Sequence, residues 1–329
     1  MDSPQITVAM PTYNGARHLA EAVRSIRAQA DLAFDWVACD DRSEDATLDI
    51  LRAEAGDRLR VAVNSERLGL ARNWNACVAQ SRTPLVAIFH QDDVMHPGHL
   101  RAHLSAFEAD PGVGLICNAA DVIDEEGLRI PESVVERGGL GPSDRTFRPG
   151  ELLAELAVQN PLRCSAVTIR RQAHVEVGGF DSSYRYVVDW DFWIWVARRY
   201  PVTWLARPSV AVRWHSASET HRFKTGTSDL EETSRLLLGL SDLEDRGVPY
   251  WDRRRAIDHR LGRAYLNRAY DALRGGDPRL ARRCLAEAVS RRPGILGTIA
   301  LDPRLAAMMA TLAFAPEMAR RLFSRTDGS

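Results

Sequence analysis

"ITVAMPTYNGARHLAEAVRSIRAQ", residues 6–29, changes its hydrophobic period once, and that change sets the architecture. Residues 6–10 read as a strand, whereas Leu19, Ala22, Val23 and Ile26 recur at helical spacing. The rhythm then repeats. "DWVACDD" (35–41) is a strand ending in acid, and "SEDATLDILRAEA" (43–55) is a helix with Ser43 or Asp45 as its N-cap. Strands at 59–64, 85–89 and 113–124 alternate with helices at 69–81 and 99–109. Such alternation predicts an α/β fold with a mainly parallel sheet flanked by helices. In sheets of this kind ligands collect at the carboxyl ends of the strands. Thr12-Tyr13-Asn14, Asp40-Asp41 and Asp92-Asp93 each follow a predicted strand.

The remaining chain of 329 residues divides by composition. Residues 125–150 are rich in Gly, Pro and charge and read as an irregular excursion, and 151–226 form a second mixed region. From about 228 onward the pattern is helical, and 266–294 read as one tetratricopeptide-like helix pair turning at Gly275–Pro278. A single such unit cannot build a binding solenoid, because stacked neighbours are what bury its faces. Net charge is −1, but residues 250–329 carry +8 and the rest −9, which points to two modules. Five scattered cysteines without a CxxC pair read as buried thiols in a reducing cytoplasm. No apolar run reaches the roughly 20 residues of a membrane-spanning helix. The apolar stretch at 305–315, with Arg320 and Arg321 beyond it, fits peripheral contact with an anionic membrane surface or a docked terminal helix.

The chain lacks GxGxxG after the first strand, the GxxxxGK[ST] loop and the GxSxG elbow. If it binds a nucleotide, something other than a glycine-rich cradle must neutralise the phosphates. Adjacent Asp92 and Asp93 repel each other, so a metal ion, a helix terminus or an arginine is expected beside them. Hard divalent cations such as Mg²⁺ or Mn²⁺ take one or two carboxylates and let substrate phosphates complete the shell.

Taken in order, "MPTYNG" (10–15), "DDRSED" (40–45), "NSERLGLARNWN" (64–75), "FHQDDVMHPGHL" (89–100), "VGGFD" (177–181), "VVDWDFWIWVARR" (187–199) and "VRWHSASET" (212–220) resemble the family 2 glycosyltransferases, inverting enzymes of the GT-A fold. The resemblance covers about residues 5–221. It implies a catalytic domain at 1–226, with a nucleotide half at about 1–124 and an acceptor half at about 150–226, followed by a helical region at 227–329. The implied reaction moves a sugar from a nucleotide diphosphate donor (UDP, GDP or dTDP sugar) to a hydroxyl on a glycan, polysaccharide or lipid-linked acceptor.

By the same resemblance Tyr13 stacks on the base beside Pro11 and Thr12, Asp41 accepts a hydrogen bond from the base, and Arg72 lies next to it. Asp92 contacts the ribose side and is a further metal candidate, Asp93 binds Mn²⁺ or Mg²⁺, and His215 completes the metal or diphosphate site. Arg213 is expected to pair with the diphosphate. Asp189 is implied as the general base, with Asp191 in reserve, and Trp190 as an acceptor platform, although its helical stripe with Trp193, Ile194 and Ala197 also reads as core. Two family positions differ: His90 stands where a carboxylate is common, and Val188 where Glu is. A non-catalytic sugar-nucleotide-binding or scaffolding homologue and a nucleotidyltransferase are the competing readings. No nucleic-acid partner is expected.

Overall fold

A computed structural model describes residues 4–29, 32–131, 139–215, 218, 222, 223, 225–240, 250–301, 306, 307, 309 and 310. The chain divides into two compact units, Met1–His215 and Ser216–Ser329.

The first unit carries a nine-stranded mixed sheet. Its strands are β1 (Ile6–Thr12), β2 (Asp35–Asp40), β3 (Arg60–Val63), β4 (Leu85–Ile88), β5 (Val94–Met95), β6 (Leu115–Ile123), β7 (Arg145–Phe147), β8 (Val167–Arg170) and β9 (Val202–Arg213). They run in the order β3-β2-β1-β4-β8-β6-β9-β5, with β7 added to β9. The fold class read from the sequence holds, and the parallel part is where the period alternates most regularly. β3, β2, β1 and β4 are mutually parallel, while β8 runs antiparallel between β4 and β6.

Flanking helices are α1 (Ala16–Arg27), α2 (Thr47–Ala55), α3 (Leu70–Ala79), α4 (His99–Ala109), α5 (Leu153–Leu156), α6 (Arg171–Val177) and α7 (Val188–Arg199). α1 buries Leu19, Ala22, Val23 and Ile26, the stripe its spacing predicts. β1 is buried along its whole length, as a strand covered by helices on both faces must be.

Register brings the chemistry to one edge. Thr12 pairs with Asp40, Asp40 with Val63, and Ala9 with Ile88, so the residues following β1, β2, β3 and β4 emerge together. Val167 pairs with both Ile88 and Cys117, which delivers residues 160–166 to the same edge.

Under the sheet lies a polar pair that the amphipathic pattern of α4 did not reveal. His99 and His103 are fully buried with ring centroids 4.2 Å apart. His103 is satisfied by Thr168 Oγ1 at 2.7 Å and Asn118 Oδ1 at 3.0 Å. Burial lowers His103 and His174 to about 4. Each therefore favours the fold above pH 6.5, and its contribution is lost as pH falls from 6.5 towards 4, where the unfolded chain binds the proton first. Asp93 and Asp191, raised to about 6, act in the opposite sense over the same window and mask this in any unfolding curve. The direct readout is NMR titration of the imidazole Cε1–H signals, with midpoints near 4 expected for both histidines. A midpoint near 6.5 would place the rings in solvent.

The second unit, among its described residues, is helical, with helices at Ser228–Leu238, Tyr250–Arg274, Pro278–Arg291 and Ile295–Leu301. Asp277 caps the third of these by accepting from Leu280 N at 2.9 Å, with Pro278 at the first helical position. Gly276, at φ 79°, supplies the left-handed turn before it. The unit's interior holds a two-pronged ion pair, Arg268 to Asp229 at 2.7 and 3.1 Å. Most of the apolar stretch at 305–315, and Arg320 and Arg321 beyond it, lie outside the described residues. None of the described helices is long and apolar enough to cross a membrane, and all five cysteines are free and buried.

Candidate functional site

The edge begins with Tyr13. Its backbone N–H donates to Gln91 Oε1 at 2.9 Å, and its carbonyl accepts from Gln91 Nε2 at 3.0 Å. A Cβ on Gly15 would stand 2.2 Å from that Oε1, so a larger residue there would displace the Gln91 amide from Tyr13. Asn14, at φ 44°, makes the tight turn between them. Over the Tyr13 ring sits the Arg67 guanidinium, 3.6 Å from the centroid, also donating to the phenol oxygen. Pro11 and Thr12 are buried beneath, with Thr12 Oγ1 donating to Asp40 at 3.0 Å.

Asp41, expected at the base, is 3% exposed. Its carboxylate accepts from Leu68 N at 2.7 Å, Gly69 N at 2.8 Å and Asn64 Nδ2 at 2.9 Å. That arrangement fastens the 64–69 loop that carries Arg67. Arg72 is exposed and pairs with Glu66 at 3.5 Å.

The two adjacent aspartates part company. Asp93 is 3% exposed; one of its oxygens accepts from Arg213 N at 2.8 Å and the other from Ser165 Oγ. Burial and the Asp92 charge push its carboxyl up to about 6. Asp92 is more open, and its Oδ2 lies 3.0 Å from His215 Nε2. Burial alone would raise the Asp92 carboxyl, but the His215 hydrogen bond and the nearby His90 and His215 rings hold it below the usual range. His90, Asp92 and Asp93 bring ligand atoms within 4.8 Å of one another.

Arg213 does not face a ligand. Its side chain is 1% exposed, and its donors go to the carbonyls of Asp92 (3.0 Å), Asp124 (2.9 Å) and Glu125 (3.1 Å) and to Glu21 Oε2 (2.6 Å). This corrects the diphosphate role expected from its sequence position: the guanidinium is used up in tying three segments together.

On the other flank, Asp189 sits in the first turn of α7 and accepts from Asn160 Nδ2 at 3.1 Å. Asp191 is 7% exposed and raised to about 6 by burial and by Asp181. Trp190 is 4% exposed and donates from Nε1 to Leu156 O at 2.8 Å, so it belongs to the core with Trp193, Ile194 and Ala197 and offers no acceptor platform. One short segment joins the two flanks: Asn160 holds Asp189, and Ser165 holds Asp93. Beside it opens a cavity of about 280 Å³ whose lining includes Asn118, Ala120, Pro161, Arg163 and Trp204. Sequence reasoning passed over Gln91, Arg67, Asn160, Ser165 and Glu21. Gln91 and Arg67 left a signal, their places inside the motifs at 89–100 and 64–75.

Residues 7–172 match the family model described as glycosyl transferase family 2. An uncharacterized protein of Mycobacterium tuberculosis, MT1568, is 31% identical over 242 residues, covering 71% of this chain and 75% of that one. The uncharacterized glycosyltransferase alr2836 of Nostoc is 30% identical over 132 residues, 39% of this chain and 40% of that protein. Among solved structures, Staphylococcus aureus TarS 1–349 in complex with UDP-GlcNAc superposes with a TM-score of 0.62 at 16% identity, over 96% of this chain and 88% of that one, a likeness of fold.

Proposed function

The chain belongs to glycosyl transferase family 2, and from that premise we propose that it moves a sugar from a nucleotide diphosphate donor to a hydroxyl acceptor with inversion at the anomeric carbon. The observation carrying this reading is the strand-end edge itself, where Asp92 is held open by His215 while Asp93 is locked behind it and Asp189 stands across a single short segment. Tyr13 and Arg67 offer flat faces for a base, and UDP in the TarS complexes supports a uridine donor.

Asp189 is the proposed base. It takes the proton of the acceptor hydroxyl as that oxygen bonds to the anomeric carbon. The bond from that carbon to the diphosphate oxygen breaks on the opposite face, its electron pair leaving with the nucleotide. Asn160 keeps the Asp189 carboxylate turned towards the edge, and the cavity beside it is the proposed entry for the acceptor.

A divalent cation fits the donor set. Both Asp93 oxygens already have partners, so Asp92 is its proposed anchor, with Asp93 fixing the turn and His215 orienting the carboxylate. When bound, Mn²⁺ or Mg²⁺ supplies charge neutralisation of the departing diphosphate.

Calorimetry with UDP, GDP and dTDP, each with and without Mn²⁺, tests the donor site. One nucleotide is expected to bind in a metal-dependent manner, and Asp92→Asn is expected to weaken that binding at least about tenfold. Absence of binding by all three, or metal dependence unchanged in Asp92→Asn, would reject the assignment.

A further inference from the structure

The segment that joins the two flanks also carries Arg163, between Asn160 and Ser165. This arginine is 7% exposed and lines the cavity of about 280 Å³ beside the segment. We propose that Arg163 selects the acceptor by charge. The saccharide entering the cavity bears an acid group, a carboxylate or a phosphate, which the guanidinium binds while the attacking hydroxyl meets Asp189. The inference rests on the cavity being the acceptor's entry.

The make-up of the wall carries this. Among the described lining residues Arg163 is the only one with an ionisable side chain, and Pro161, Ala119 and Ala120 are apolar. Trp204 Nε1 donates to Gly141 O at 3.0 Å, and a Cβ on Gly139 would stand 2.9 Å from the indole Cζ2, so the ring is a fixed wall. Asn118 Oδ1 lies 3.0 Å from His103 Nε2, and its Nδ2 donates to Ala119 O at 2.6 Å. A ligand here therefore meets a cation in apolar surroundings, where an oxyanion gains more from it than in bulk water. The planar fork of N–H donors matches the paired oxygens of a carboxylate or phosphate, and it stays charged at any working pH.

Placement agrees with that role. Cα atoms three residues apart are separated by at most roughly 11 Å, so Arg163 and Asn160, which holds Asp189, lie within reach of one short saccharide. The segment is braced on both sides of the arginine. Asn160 Oδ1 accepts from Leu162 N at 3.2 Å, and the Arg163 carbonyl accepts from Ala166 N at 2.9 Å across the short turn Cys164–Ala166. The cavity is near the lower end of the roughly 300–1,000 Å³ of small-molecule sites, which suits one sugar with its acid group. The donor diphosphate is the other anion expected at this edge, and the test separates the two.

Ligand-observed NMR titration of the full-length chain, saturated with UDP and Mn²⁺ to fill the donor site, compares three probes. They are methyl β-glucopyranoside, methyl β-glucuronide and methyl β-glucopyranoside 6-phosphate. One acid probe is expected to bind at least about tenfold more tightly than the neutral glucoside, and its identity distinguishes carboxylate from phosphate. Arg163→Gln is expected to erase that preference and Arg163→Lys to restore part of it. Wild type that binds neither acid probe more tightly than the glucoside would overturn the proposal, whether or not the variants fold. So would a preference that survives in Arg163→Gln, or a fall in UDP affinity there with the preference intact. Failure of UDP to bind wild type bears on the donor assignment alone. The probes are then titrated without nucleotide, and dependence of the preference on Arg163 still reads the cavity.

Discussion

Replacing Asp189 with Asn is expected to lower kcat by about 10²- to 10⁴-fold while leaving nucleotide affinity within about twofold of wild type. The change removes the only proton acceptor proposed for the acceptor hydroxyl. It keeps the shape of the side chain, and the remaining carbonyl oxygen can still accept from Asn160 Nδ2. Initial rates with the donor identified by calorimetry, measured beside donor hydrolysis, provide the check. Loss of transfer with binding intact also argues against the non-catalytic reading. An unchanged kcat would remove Asp189 from the mechanism and bring Asp191 forward. Asp191→Asn is the informative companion: that carboxyl is 7% exposed and raised to about 6, so its substitution is expected to alter folding before it alters turnover.

The second large effect concerns stability. Arg213→Met is expected to destabilise the first unit by about 3 kcal/mol, the scale for removing one member of a buried, hydrogen-bonded charge group. For a unit of this size that corresponds to a melting midpoint lower by roughly 6–12 °C. Methionine fills much of the volume, so the loss reports the interactions: the carbonyls of Asp92, Asp124 and Glu125 and the Glu21 carboxylate all lose their donor. Urea or thermal unfolding measures it. If Arg213 instead faced the diphosphate, folding would be unaffected and nucleotide affinity alone would fall. The two roles therefore give opposite patterns in one variant.

Much of the fold was legible because burial on both faces leaves a simple trace. β1, β2 and β4 are apolar runs bounded by polar residues, and each predicted strand or helix in the first 124 residues lies within two residues of its observed position except the helix read at 43–55, which starts only at Thr47 with Ala46, not Ser43 or Asp45, at its N-cap. The antiparallel insertion of β8 was not legible. Its residues Val167–Arg170 read like any short strand, and only pairing with both β4 and β6 fixes its direction.

At the site, the sequence identified which carboxylates collect but not how they share the work. Asp92 and Asp93 are equal as letters, yet one faces His215 while the other is consumed by Ser165, 72 residues away, and by Arg213 N, 120 residues away. Asp41 and Arg213 carry the chemistry expected of ligand contacts but spend it on loop backbone. Trp190 lies on a helical stripe whose core reading proved right.

The sequence by itself determined the strand–helix order, the family and the strand ends where polar groups gather, because hydrophobic period and local motif are properties of neighbours along the chain. The tertiary structure decided which of those groups remain open to a ligand, since a carboxylate or guanidinium is free only if no distant donor or acceptor has already satisfied it. Those distant partners are set by sheet register: Val167 beside Ile88 is what brings Ser165 to Asp93 and Asn160 to Asp189.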